Sequence, residues 1–369
     1  MQIVVIGAGI AGLSAAWALS RRGHDTTVVE MEPLVFAHAS GRNAAIFRPL
    51  EHAPWVSRLA LRTRKLLDEL FDDEPWLYQR GLLLVAQAEA ALSPLKDIAA
   101  SEGVACEALD EVELHRAAPE LRGGRARHAL WVRDAGVVDP HTIGMRLRRA
   151  LADRGSNVHT RTRALRIALD NDHVRGVELQ GQRLDADAVV VAAGAWSSSL
   201  AALPLTPMRR HLALLHSAAT PVADHPTVWD VELETYYRVE SGALLASPCD
   251  ETAWTAESPP RDPAALELLA QKLAQLSPAL ASARVRTSWA CLRTFAPDRQ
   301  FVVGADPRVA GLHWLAGLGG AGLSAGVGLG ELLASGMEGD MPSWAAALSP
   351  ARLIPKGSSL DFVGEERVT

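Results

Sequence analysis

The sequence predicts an α/β fold: a doubly wound, mainly parallel sheet with a second, antiparallel sheet inserted into it. Three observations predict it. The chain opens as strand, glycine turn, helix and strand within its first thirty residues. Between about residues 205 and 290 the pattern shifts towards the alternation of half-buried antiparallel strands. Short apolar runs and a second glycine-rich turn then return before the C-terminus.

Taken in order, Ile3–Ile6 is a continuous apolar run, as a strand buried on both faces requires. Gly7–Gly12 is the turn, Leu13–Arg22 a helix stopped by Gly23, and Thr26–Val29 a strand closing at Glu30. Ala39–Phe47 reads as a small-residue loop leading into a helix, and Trp55–Phe71 as a long amphipathic helix. Leu82–Val85 reads as a strand. Glu111–Ala117 and His141–Arg154 read as helices, the second started by Asp139-Pro140. Val174–Leu179 and Leu184–Ala192 read as a hairpin ending in a buried strand. Leu212–His216, Tyr236–Val239 and Ala243–Ala246 supply the alternating strands, interrupted by a helix over Pro263–Gln275. Phe301–Val303 and His313–Ala316 are strands again, and Gly326–Ala334 is the last helix.

Bulk properties exclude several classes. A chain of 369 residues exceeds one compact core. Hydrophobic residues at 48% and charged residues at 22% are ordinary for a folded protein, so disorder is not the default. A net charge of −6 argues against a nucleic-acid partner. The local basic runs, Arg58, Arg62, Arg64 and Lys65, and Arg146, Arg148 and Arg149, read as solvated helix faces. Cys106, Cys249 and Cys291 are too scattered for a disulfide framework or a zinc site, which fits a reducing, cytoplasmic location. No targeting segment is read, and no run of ~18 apolar residues exists to span a membrane.

Gly7-Ala8-Gly9-Ile10-Ala11-Gly12 is a GxGxxG set between a strand and a helix, with an acid, Glu30, closing the next strand. Each part has a task in holding a dinucleotide. Gly7 allows the tight turn, and Gly9 lets backbone N–H groups approach a pyrophosphate. Gly12 and Ala16 let the helix lie close to the sheet. The helix N-terminus favours negative charge, and Glu30 can accept from ribose hydroxyls. Two distant segments favour FAD over NAD. Val189–Trp196 is an apolar strand ending in small residues, and Gly317–Ser324 is a second glycine-rich turn opening a helix. A flavin needs that second approach.

On these residues the chain resembles the D-amino acid oxidase superfamily of flavoproteins, which includes glycine oxidase, sarcosine oxidase and the D-amino acid dehydrogenases. The resemblance covers nearly the whole chain. It rests on the N-terminal fingerprint, on His38–Ala45, on Ala193-Gly194-Ala195-Trp196 and on Trp289–Asp298. Leu348–Leu353 also resembles the end of D-arginine dehydrogenase-like members. The resemblance implies an FAD-binding Rossmann-like domain made of residues 1–80, 135–205 and 286–355. It implies a substrate domain made of 81–134 and 206–285, with a mobile tail at 356–369. It implies FAD bound by Gly7, Gly9, Ile10, Ala11, Gly12, Glu30, Ser40, Arg42, Asn43, Ala44, Ala164, Ala193, Gly194 and Trp196, with the ring near Gly319, Gly320, Ala321, Gly322, Leu323 and Ser324.

By the same resemblance Arg293 receives a substrate carboxylate, which suits the two parallel donors of a guanidinium. Tyr236 aligns with a substrate-binding Tyr. Its neighbour Tyr237 points to the other face of the strand. Arg210 is read as a second carboxylate contact. Arg48 stands near the place where D-arginine dehydrogenase carries an active-site His, and Gly81–Val85 lacks a carboxylate for a cationic side chain. Cys291 lies where sarcosine oxidases hold their covalent flavin link. It is read here as a small buried hydrophobe, with FAD non-covalent. Gly322-Leu323-Ser324-Ala325-Gly326 mimics the GxSxG elbow of hydrolases, but no histidine follows Ser324, so Ser324 is read as a helix cap.

The expected activity is oxidation of the C–N bond of a small amino acid or amine, by hydride transfer to flavin, giving an imine that hydrolyses. The alternatives are 2-hydroxy acid oxidation and a non-catalytic flavin-bound subunit of a larger dehydrogenase. The acceptor is a quinone, another redox partner or O2. A dehydrogenase is favoured because only Lys65, Lys96, Lys272 and Lys356 could serve as an oxygen-activating lysine, and none lies between Lys96 and Lys272.

Overall fold

The computed structural model describes residues 1–72, 74–355, 357 and 360. Apart from 357 and 360, the tail expected to be mobile lies outside the described residues.

The central sheet has six strands. From one edge they are Val302–Ala305, Leu312–Ala316, Ala188–Val191, Gln2–Ile6, Asp25–Val29 and Asn157–His159. All neighbours are parallel except the Val302–Ala305 edge pair. Both faces are covered, which is why the first strand is apolar throughout. Ile3 and Val5 pack into one apolar cluster, and Val4 and Ile6 into another. On the first face, helices Ile10–Arg21, Pro54–Phe71 and Gly322–Met337 pack together. They approach closely: a Cβ on Gly330 would stand 2.5 Å from the Ser14 carbonyl carbon.

The second large sheet crosses from Arg284–Phe295 through Thr206–His216, Ala243–Ser247, Thr235–Glu240, Thr227–Asp230, Leu82–Ala86 and His128–Val132 to Glu107–Leu109. Alternation divides its two faces. Ala213, Leu215, Tyr237, Val239, Leu244 and Ala246 pack against helix Pro263–Leu276, through Leu269, Leu273 and Leu276. Leu212, Tyr236 and Leu245 turn the other way, towards Ala44 and Ile46 of the loop that follows the first two strands.

Several expectations are met closely. Glu111–Ala117 is helical with a reciprocal capping box between Asp110 and Glu113. Helix Pro140–Ala152 starts where Asp139 accepts from the His141 and Thr142 N–H groups. Others are corrected. Leu184–Ala192 is two strands. Gln182–Asp185 pairs with His173–Leu179 in a small antiparallel sheet, and Ala188–Val191 joins the central sheet. The reason is burial: Arg183 and Asp185 are exposed, whereas 188–191 are buried throughout. The last helix begins at Gly322, one turn before Gly326. The inserted sheet is not wholly antiparallel, because Thr227–Asp230 runs parallel to Leu82–Ala86. Helix Ser93–Glu102 and the strand over Arg284–Phe295 carry no clean periodicity in the sequence. The strand is exposed at its start, where Arg284–Thr287 lie, and buried at its end.

A cleft with a nucleotide end and a substrate end

One cleft runs between the glycine turn of the central sheet and the face of the second sheet that carries Tyr236. At the nucleotide end, Gly7 takes φ +105° and leaves no room for a side chain: a Cβ there would sit 2.6 Å from the Ala192 carbonyl oxygen. A Cβ on Gly12 would lie 1.8 Å from the Gly7 carbonyl oxygen. Gly12 therefore sets how near the helix lies to the strand, and it does not itself line the cleft. The Glu30 carboxylate accepts from the Ala8 N–H at 2.7 Å and the Glu32 N–H at 2.9 Å. A carboxylate has about four acceptor positions, so Glu30 keeps capacity for a ligand in the cleft it lines.

The loop over His38–Ala45 forms the wall. The Ser40 hydroxyl accepts from the Ile10 N–H at 2.9 Å. Asn43 donates to the Ala39 and Ser40 carbonyls at 3.0 and 2.7 Å and accepts from the Ala45 N–H at 2.7 Å. This side-chain brace holds Ala45 at φ +56°, a conformation costly for alanine. Buried Arg238 reaches across from the second sheet to donate to the Ala44 carbonyl. Arg238 was not singled out from sequence, and no local pattern marks it. Ile10, Ala11, Arg42, Ala44, Ala164, Ala193, Gly194 and Trp196 all line this end or its continuation, as do Gly319, Gly320, Gly322 and Leu323.

Ala321 and Ser324 do not line it. Ala321 occupies the cap position of the last helix without any side-chain bond. Ser324 is not the cap: it lies inside the first turn, and its hydroxyl accepts from the Arg48 main-chain N–H at 2.9 Å. The glycine turn, the helix start, Glu30 and the Ser40–Asn43 loop thus share one cleft with the Gly319-Gly320 turn. That arrangement fits a dinucleotide reaching towards the substrate end.

Sheet register builds the substrate end. Arg210 pairs with Cys291, and Met208 with Arg293, so Arg210, Cys291 and Arg293 share one face. Arg293 is buried, 6% exposed. Its guanidinium donates only to main-chain carbonyls, those of Leu292 at 3.0 Å and Arg42 at 3.3 Å. Among the described residues no carboxylate pairs with it. Arg210 pairs with Glu251, which also binds Arg299 at 2.8 Å. Arg48 pairs with Glu51 and lies 3.8 Å over the Trp229 ring, which stacks on Tyr236 at 4.4 Å. Burial pushes the Tyr236 phenol up despite the Arg293 and Arg210 guanidiniums, so it stays neutral. Trp229, Glu51 and Glu251 were not expected; Trp229 and Glu251 are brought here only by the folded register, whereas Glu51 is a local partner three residues from Arg48.

The strand edge beside Arg210 is latched. The His211 Nε2 accepts from the Asp262 main-chain N–H at 2.9 Å. The ring proton therefore sits on Nδ1 and is donated to Asp250 at 2.7 Å. Burial raises the Asp250 carboxyl, but the bonds from the His211 ring and N–H outweigh it and hold it below the usual range. This fixes the turn that carries Glu251.

The family model of FAD-dependent oxidoreductases matches residues 2–335. Over 93% of its length the chain is 25% identical to the mitochondrial pyruvate dehydrogenase phosphatase regulatory subunit of Mus musculus, and it spans 42% of that protein. It is 28% identical to a D-amino acid dehydrogenase of Cereibacter sphaeroides, with 94% of each chain covered. The fold superposes on L-proline dehydrogenase from P. horikoshii with a TM-score of 0.86 at 20% identity, covering 95% of this chain and 97% of that one. With a family match over nearly the whole chain and a cleft whose residues fit the cofactor, the protein belongs to the DAO family of FAD-dependent oxidoreductases.

Proposed function

We propose that this chain oxidises the C–N bond of a small amino acid or amine to an imine, which water hydrolyses. The observation that carries the reading is Arg293. A buried guanidinium without a carboxylate is costly unless a ligand completes it, and this one lines the cleft. A substrate carboxylate supplies the missing acceptor. FAD, when bound, accepts the two electrons removed from the substrate.

The chain's own residues bind, orient and exclude water. Arg293 fixes the carboxylate, Tyr236 packs with Trp229 as an apolar wall, and the loop braced by Asn43 and Arg238 keeps the wall rigid. The acids that line the cleft are Glu30, at the nucleotide end, and Glu257, which is exposed. Among the described residues no carboxylate base faces the cleft beside Tyr236, so the amine reacts in its neutral form after losing its proton to water. Cys291 is 3% exposed and its thiol contacts the Leu292 carbonyl at 3.8 Å. The flavin is held without a covalent bond.

Among the described residues no lysine lines the cleft. Lys96 pairs with Glu89, and Lys272 donates to the Glu234 and Pro248 carbonyls. This supports a dehydrogenase passing electrons to a quinone or another carrier. No helix of the described residues is long and apolar enough to cross a membrane. The three free cysteines support a cytoplasmic location. The expected boundary at 286 is moved: strand Arg284–Phe295 pairs along its length with Thr206–His216, so the substrate unit takes 81–134 and 206–295, and the FAD-binding unit 1–80, 135–205 and 296–355.

The similarity to a regulatory subunit keeps one other reading in play: a flavin-bound subunit without turnover. Anaerobic mixing with D- and L-amino acids, N-methyl amines and hydroxy acids separates these. Bleaching of the flavin by amines is expected. Bleaching by hydroxy acids alone, or by nothing, overturns C–N oxidation. Reduced enzyme mixed with air-saturated buffer should reoxidise more slowly than it turns over with a quinone.

A further inference from the structure

The charges at the substrate end are unbalanced in a way that specifies the substrate class. Arg48, Arg210 and Arg293 all line the cleft. Glu51 and Glu251, the carboxylates paired with the first two, do not line it. Glu251 is shared with Arg299, and Arg293 has no carboxylate partner among the described residues. A ligand at this end therefore meets the guanidinium groups of Arg48, Arg210 and Arg293, while the acids that pair with the first two lie outside the walls; the acids that do line the cleft are Glu30, at the nucleotide end, and exposed Glu257.

The arginines are spread across the sheet face. Arg293 stands on the Arg284–Phe295 strand, with Arg210 on the neighbouring strand. Arg48 covers Trp229, four strand positions further on, with Tyr236 and Trp229 stacked on its side of the sheet. Arg48 uses one terminal nitrogen for Glu51, and its Nε and other terminal nitrogen have no acceptor among the described residues. One carboxylate satisfies Arg293 and leaves two Arg48 nitrogens for a second acceptor.

We propose that the cleft selects amino acids or amines carrying a second anionic group, with one carboxylate on Arg293 and the other on Arg48, and the carbon chain against the Trp229–Tyr236 pair. The proposal rests on the C–N oxidation reading and sharpens it. It predicts rejection of substrates with cationic side chains, since the guanidiniums of Arg48, Arg210 and Arg293 present them with like charge.

Two measurements on the flavin-loaded enzyme test it. In the first, D- and L-aspartate, D- and L-glutamate and iminodiacetate are compared with alanine, norvaline and sarcosine as anaerobic reductants. The dicarboxylates should reduce the flavin with kcat/KM at least tenfold higher, and Arg48→Gln should collapse that ratio. In the second, non-reactive glutarate and butyrate are titrated against the flavin absorbance. Glutarate should bind at least tenfold more tightly, and Arg48→Lys should keep part of the preference that Arg48→Gln loses. Equal or better binding of the monocarboxylates, or a ratio indifferent to Arg48, overturns the proposal. If no amine bleaches the flavin while the glutarate preference depends on Arg48, the dianion site stands and the C–N reading falls.

Discussion

The two ends of the cleft are made by different means. At the nucleotide end the groups that matter are main-chain atoms and missing side chains. Gly7 and Gly12 are defined by the carbonyl oxygens a Cβ would strike, and the nearby side chains, Ser40, Asn43 and Glu30, spend their hydrogen bonds on main-chain groups. At the substrate end the groups are long side chains from segments far apart in sequence: Arg48, paired locally with Glu51, lies over Trp229, and Arg210 is held by Glu251. The core of the first end, the glycine turn and Glu30, lies within thirty residues, whereas the second exists only when the sheet has its register. Damage at the first should therefore cost structure and cofactor together. Damage at the second should cost chemistry alone.

The largest effect expected is at Gly12. Gly12→Ala forces a Cβ to 1.8 Å from the Gly7 carbonyl oxygen, so helix and strand must separate. Overpacking of this kind costs about 3 kcal/mol or more, and the widened turn should release the flavin. Gly23→Ala is the control. Its φ is +80° but nothing lies within 4 Å, so only the backbone term of about 1 kcal/mol remains. Thermal melts and flavin absorbance of the two variants measure the contrast. A Gly12→Ala protein that melts like the parent and keeps its flavin would break the claim that the nucleotide end is a matter of close approach.

Next is Arg293→Met, which should do the opposite. Removing one partner of a buried charged contact costs about 3–4 kcal/mol, or roughly 10²–10³ in the second-order rate of flavin reduction. Flavin content and melting temperature should hold, since the variant removes a buried guanidinium that no carboxylate balances. Loss of flavin with no loss of rate per flavin would place Arg293 in the scaffold.

This division also explains what was legible in the sequence. The GxGxxG turn, Glu30 and the second glycine turn could be read because their function follows from residue type and spacing along a continuous segment. Gly12 was read as the residue that lets the helix lie close to the strand, and it does so, although it does not itself line the cleft; Ser324 was assigned to a cap when it receives the Arg48 main chain. The Ser324 reading mistook nearness in sequence for contact. Arg293 and Tyr236 came from resemblance. Trp229, Glu251 and Arg238 were invisible, because a lone Trp, Glu or Arg says nothing until another strand stands beside it, whereas Glu51, three residues from Arg48, was a local pair left unread.

Tyr236 and Tyr237 sharpen the comparison within one strand. Tyr236 faces the cleft, whereas Tyr237 faces helix Pro263–Leu276, and its hydroxyl donates to Glu120, which His225 also approaches at 3.1 Å. Tyr236→Phe should lower the rate of flavin reduction several-fold, about 1 kcal/mol, with unchanged stability. Tyr237→Phe should leave the kinetics alone and cost about 2 kcal/mol of stability, because the buried Glu120 loses a donor. Equal kinetic effects would mean the two faces are not independent.

The smallest expected effect concerns two histidines, one in each sheet. His211 in the substrate sheet has both ring nitrogens bonded, to Asp250 and to the Asp262 N–H. Among the described residues the Nδ1 of His313 in the central sheet has no hydrogen-bond partner, and burial lowers its pKa from 6.5 to about 4. The unfolded chain therefore binds more protons than the folded one between those values. The stability tied to neutral His313 is fully present above pH 6.5 and is lost progressively as pH falls towards 4. By pH 5.5 the loss should be about 1 kcal/mol. His313→Leu keeps the bulk and removes the titration, so the stability difference between variant and parent should grow in the variant's favour from pH 7.5 to 5.5. Denaturant unfolding at the two pH values gives the number. A difference that stays flat would mean that the folded protein lets water or a proton reach His313, and that the central sheet is looser at this strand than its packing implies.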